Sequence, residues 1–137
     1  GEFLDELFSK TVGMYPLEIH PNVSVHARHL YIIRYNKDQF LGLPREKLIS
    51  ALVEEGVPAS AGYMPLHQQL DKTVEFKFYP WIDREKCFNV SLPNAEKAAY
   101  EEALWLPQNI LLGSKELLKS IPKAFEKIKE NISFLIN

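Results

Sequence analysis

The chain has 137 residues, 46% hydrophobic and 25% charged, with a formal net charge of −2; by length and composition it is one soluble globular domain. The weak negative charge argues against a nucleic-acid binder, which carries a basic excess, and apolar runs of only a few residues fall short of the ~20 that cross a bilayer. Cys87 is the only cysteine, so no internal disulfide forms and a reducing, cytoplasmic setting fits.

The chain opens Gly1-Glu2-Phe3 without an initiator Met, which suggests a cloning scar or a fragment, and it shows no basic, apolar signal segment. Phe3, Leu4, Leu7 and Phe8 have helical spacing, predicting the end of an amphipathic helix that Gly13 stops. Residues 15–20 then extend toward a sheet. Residues 23–35, rich in β-branched and aromatic side chains, are the best strand candidate; Leu30, Ile32 and Arg34 face opposite to His29, Tyr31, Ile33 and Tyr35.

A helix is predicted over 44–55, with Pro44 at its first position, Leu48, Ala51, Leu52 and Glu55 on one face, and Gly56 as the left-handed cap. Residues 59–63 read as a second strand. Residues 64–83 hold two prolines and no sustained period, and read as a long loop of the kind that often carries function. Asn94 is placed as the cap of a helix through Ala103, followed by a strand over 104–107. Ser114 caps a last helix with Leu117, Ile121, Phe125, Ile128 and Ile132 on one face; Pro122 should kink it or restart it at Ser120. The expected fold class is α/β (α+β-like), a small three-stranded sheet covered on one side by helices.

His26 and His29 form a His-x-x-His pair, but residues three apart on a strand point to opposite faces, so no metal site is expected. Cys87 has no base nearby in sequence and is expected to be a packed thiol. The six glycines are scattered, without a phosphate-binding pattern. The segment Tyr63-Met64-Pro65-Leu66-His67 is more informative, because a Tyr, a rigid turn and a His meet at a strand end where loops present binding groups.

His26-Ala27-Arg28-His29-Leu30-Tyr31-Ile32-Ile33-Arg34, the helix over 45–57, Tyr63-Met64-Pro65-Leu66-His67, the Ala95-Glu96 helix, Leu104-Trp105-Leu106-Pro107 and the helix from Ser114 follow one another in order. That order resembles the C-terminal part of DegT/StrS-type aminotransferases, which aminate keto-sugars and cyclitols with pyridoxal phosphate. The resemblance implies the C-terminal small domain of a fold-type I transferase, with residues 1–22 the end of an interdomain helix and linker and 23–137 the small domain. It implies a wall of the active-site cleft, with His67, Tyr63, His29 and Arg34 as substrate-binding residues, and no catalytic, cofactor-binding or metal residue in this chain. The Schiff-base lysine of the family precedes a Gly-Glu-Gly-Gly-like stretch that this sequence lacks. Pyridoxal phosphate would thus be bound by an N-terminal large domain, the chief partner. A keto-sugar, nucleotide-linked, or a cyclitol would be the substrate, an amino acid the donor, and a homodimer the assembly; neither nucleic acid nor a membrane is expected as a partner. The alternative is a stand-alone interaction or regulatory module derived from that family.

Overall fold

The computed structural model describes residues 1–73, 75–88 and 90–136, with side chains described at all of these except 70–73, 84 and 88. Helix α1, Glu2–Phe8, buries Leu4 and Phe8 and ends at Ser9, before Gly13. Strand β1, Met14–Pro16, pairs antiparallel with β2, Leu30–Tyr35, and β2 pairs antiparallel with β3, Ala103–Pro107, in the order β1-β2-β3. The three-stranded sheet is therefore present, but its edge is built by residues 14–16 and not by 59–63.

The strand predicted over 23–35 is shortened to its second half, because a local hydrogen bond competes with the ladder. Within that stretch His26 Nδ1 accepts the Arg28 N–H at 3.0 Å. Arg28 itself has φ 48°, a left-handed conformation that no strand holds. The strand predicted over 59–63 is reduced to a single bridge, Ser60 with Trp105, with both N–H···O distances 2.9 Å.

Helix α2, Arg45–Glu54, begins one residue later than predicted. Pro44 is its N-cap, and Gly56 at φ 83° follows its end. The loop predicted over 64–83 contains α3, Leu66–Thr73, and a 3-10 turn, Phe76–Phe78; Val74 lies outside the described residues. Helix α4, Arg84–Phe88, carries Cys87, which is exposed and not packed, since this short surface helix presents it outward. Helix α5, Pro93–Lys97, has Pro93 at its first position and Leu92 as its N-cap, so Asn94 is not the cap. It continues into a π-helical turn, Ala98–Glu102.

Helix α6, Lys115–Glu130, is capped by Ser114, whose hydroxyl accepts the Leu117 N–H at 3.2 Å. It neither stops nor restarts at Pro122. Burial of Ile121, Pro122, Ala124, Phe125 and Ile128 sustains the helix through the lost hydrogen bond. The buried stripe begins at Leu118; Leu117 is half exposed. A last turn, α7, Ser133–Ile136, follows.

One sheet face carries Tyr31, Ile33, Tyr35, Leu104 and Leu106, all at most 1% exposed. It packs in one core with Leu4, Phe8, Leu48, Leu52, Ile121 and Phe125 of α1, α2 and α6. Phe8 meets Phe125 edge-to-face at 5.3 Å and stacks on Tyr31 at 5.9 Å. Tyr31 donates its hydroxyl to Asp5 Oδ1 at 2.7 Å, and Arg28 pairs with the same carboxylate, so α1 is tied to the entry of β2. Burial, then the Asp5 carboxylate, push the Tyr31 phenol far above its ordinary value, so it stays a donor. The other sheet face is not covered by these helices, and it holds the candidate site.

Candidate functional site

The open face is made of cross-strand pairs. Tyr15 lies opposite Arg34 in the β1–β2 register, and Ile32 opposite Trp105 in β2–β3. Such directly opposed side chains interact across a sheet: the Arg34 guanidinium stands over the Tyr15 ring, 5.0 Å from its centroid. The chain after the Ser60 bridge turns at Gly62 and lays Tyr63 edge-on against Trp105, with centroids 4.7 Å apart and planes at 88°. Gly62 has φ 79°, and a Cβ there would lie 2.5 Å from the Trp105 ring. Only glycine lets the backbone pass so close to the indole.

Ile32 and Trp105 floor a cavity of about 330 Å³, walled by Ala61, Ala98 and Ala99 and rimmed by Arg34, Tyr63 and Glu102. Alanines on the π-helical turn leave room above the sheet where longer side chains would fill it. Among the described residues a larger groove, about 560 Å³, runs between the end of α2 and α6, and none of the four predicted site residues lines it.

The structure brings Tyr63 and Arg34 to this one cavity. Tyr63 is 71% exposed, so its ring edge and hydroxyl are available to a ligand or a second surface. His67 stands on α3, its side chain only 9% exposed, with Nε2 3.0 Å from Glu96 Oε1. That carboxylate oxygen also accepts the Leu92 N–H at 3.0 Å. The Leu92 N–H and then His67 hold the Glu96 carboxyl below its ordinary range. An ionised carboxylate only accepts, so His67 Nε2 is the donor. Tyr100 donates to Gln68 Oε1, so α3 is tied to the π-helical turn as well as to α5. His29 lies elsewhere: it is exposed just before β2, at the far end of the strand from Arg34, about 16 Å along the strand axis by extended-chain geometry.

Sequence reasoning passed over Trp105, Ile32, Tyr15 and Glu96. The signal for the first two was present. Leu30-Tyr31-Ile32-Ile33 and Ala103-Leu104-Trp105-Leu106 are apolar on both strand faces, which marks a sheet with something to meet on each side. No group of three metal-ligating side chains occurs among the described residues, and His26 Nδ1 accepts the Arg28 N–H.

The chain belongs to the DegT/DnrJ/EryC1/StrS aminotransferase family, which matches residues 1–123. It is similar to a Streptoalloteichus tenebrarius protein assigned, by name only, as an L-glutamine:3-amino-2,3-dideoxy-scyllo-inosose aminotransferase, with 28% identity over 98% of this chain and 34% of that protein. The fold is similar to that of 3-amino-5-hydroxybenzoic acid synthase, with TM-score 0.64 and 18% identity, covering 96% of this chain and 32% of that one. It is also similar to the Streptoalloteichus hindustanus aminotransferase TlmJ, with TM-score 0.63 and 22% identity, covering 99% and 31%. The chain spans about a third of the length of the curated relatives it matches.

Aminotransferases of this family depend on pyridoxal phosphate, which needs a Schiff-base lysine and a phosphate cradle. The cavity residues do not fit that group, since no lysine lines the space. Among the described residues, Lys37 pairs with Glu101, Lys97 with Glu102 and Lys127 with Glu55, all at the surface. No helix among them is long and apolar enough to cross a membrane.

Proposed function

We propose that this chain is the C-terminal small domain of a pyridoxal-phosphate-dependent aminotransferase acting on a keto-sugar, nucleotide-linked, or on a cyclitol. The observation that carries the reading is the open sheet face, where Tyr63 and Arg34 converge beside Trp105. In this reading residues 23–137 form one wall of the cleft and residues 1–22 lead into it from a large domain. That domain supplies the lysine and binds the cofactor. Tyr63, Arg34 and His67 contact the substrate, and His29 meets it from the other end of β2 or from a partner subunit of a cytoplasmic homodimer. The relative named for scyllo-inosose chemistry makes glutamine the first amino donor to try.

Two measurements test the reading. The 137-residue chain, treated with pyridoxal phosphate and borohydride, should show only scattered substoichiometric lysine labelling by mass spectrometry. A single stoichiometric adduct would place the cofactor lysine in this chain and overturn the assignment. In the longer enzyme, His67→Ala should lower turnover or raise KM for the keto substrate more than it lowers Tm. A change in Tm alone would reduce His67 to a packing residue. A reading frame with no lysine-bearing domain upstream would favour the alternative, a stand-alone interaction or regulatory module.

A further inference from the structure

Behind the cavity wall lies Arg45, the first residue of α2, buried with 5% exposure. A buried guanidinium is costly unless its charge is met, and among the described residues no buried carboxylate meets this one. Its Nη1 instead faces three backbone carbonyls: Ala103 at 3.1 Å, Ala61 at 3.4 Å, and Ala99. Its Nη2 donates to Glu46 Oε1 at 2.9 Å, a carboxylate whose side chain is 65% exposed. Ala99 belongs to the last helical turn before β3, where carbonyls have no helical N–H to accept and the helix dipole is negative. A cation satisfies both.

The three carbonyls come from three separate pieces of the wall: the approach to Gly62, the π-helical turn, and the first residue of β3. All three alanines line the Trp105 cavity. Their methyl groups offer nothing that would lock one piece to another. We propose that Arg45 is a positioning residue for the candidate site: one guanidinium holds these pieces in register and so sets the width of the cavity and the seat of Tyr63 on Trp105. The catalytic consequence rests on the aminotransferase reading, but the arrangement of the wall does not.

The test uses the 137-residue chain carrying W81F, which leaves Trp105 as the only indole. Near-UV circular dichroism and acrylamide quenching then report the Tyr63–Trp105 contact under conditions where far-UV dichroism shows a folded chain. Arg45→Met is expected to lose most of the near-UV tryptophan band and to raise quenching, and Arg45→Lys to restore part of the band by keeping a cation. An unchanged Trp105 signature in a folded Arg45→Met, with only a lower Tm, would overturn the proposal. Should Arg45→Met fail to fold, Arg45→Lys and the wild type decide. Wild-type Arg45 should give resolved, slowly exchanging Nη–H resonances at neutral pH, and a single averaged guanidinium signal would sink the idea. Failure of the longer enzyme to transaminate would leave all these spectra unaltered, so the two readings fail separately.

Discussion

At Gly62 two demands fall on one residue: φ is 79°, and the place of a Cβ is 2.5 Å from the Trp105 ring. Gly62→Ala is therefore expected to destabilise the chain by about 1–3 kcal/mol through strain and overlap and to alter Trp105 fluorescence. Urea unfolding would measure it, and a loss below ~0.5 kcal/mol would show that the turn adapts at little cost. Glu96 gives a residue-scale prediction with a pH sign. Its folded-state pKa lies below the ordinary 4.5, so the unfolded chain binds the proton more readily. Its contribution is complete above that ordinary value and is lost as pH falls through the depressed one. Thermal melts of Glu96→Gln and the parent should thus differ above the ordinary carboxyl value and converge as pH falls through the depressed one. A gap that persists into strong acid would mean that the carboxylate charge plays no part in holding His67 and Leu92.

Among the elements, α6 separates the effects of capping and of burial. Ser114→Ala removes one hydroxyl acceptor from the Leu117 N–H and should cost about 1 kcal/mol. Phe125, fully buried edge-on to Phe8, should cost about 3–5 kcal/mol when cut to alanine. Equal losses for the two would mean that the helix is held by its end and not by the core. The contrast with α3 is physical. Its described ties are side-chain hydrogen bonds, His67 to Glu96 and Gln68 to Tyr100, formed across about thirty positions of sequence. No local period announces such bonds, and so residues 64–83 read as loop. The first half of 23–35 failed for the opposite reason: its composition suits a strand, but the His26 ring accepts the Arg28 N–H and Arg28 turns the chain at φ 48°.

The whole molecule presents one sheet face packed by helices and one left open, with Leu17 at 52% and Tyr63 at 71% exposure beside the Trp105 cavity. Apolar surface of this kind is normally covered by another part of an assembly. The isolated chain is expected to self-associate as its concentration rises, and Leu17→Ser with Tyr63→Ser to shift it toward monomer. Sedimentation velocity over a dilution series reads this directly. A monomer at every concentration would show that the face tolerates water.

The sequence by itself determined the periods of α1, α2 and α6, the order of motifs that marks the family and the Ser114 cap. Those are local properties, written in spacing and composition. Tertiary structure alone decided that residues 14–16 form a strand while 59–63 give only the Ser60 bridge, that Tyr63 and Arg34 share a cavity while His29 stands apart, and that Arg45 ties three pieces of wall together. Each of those depends on backbone groups far apart in the chain, whose partners are chosen by which faces the core has already buried.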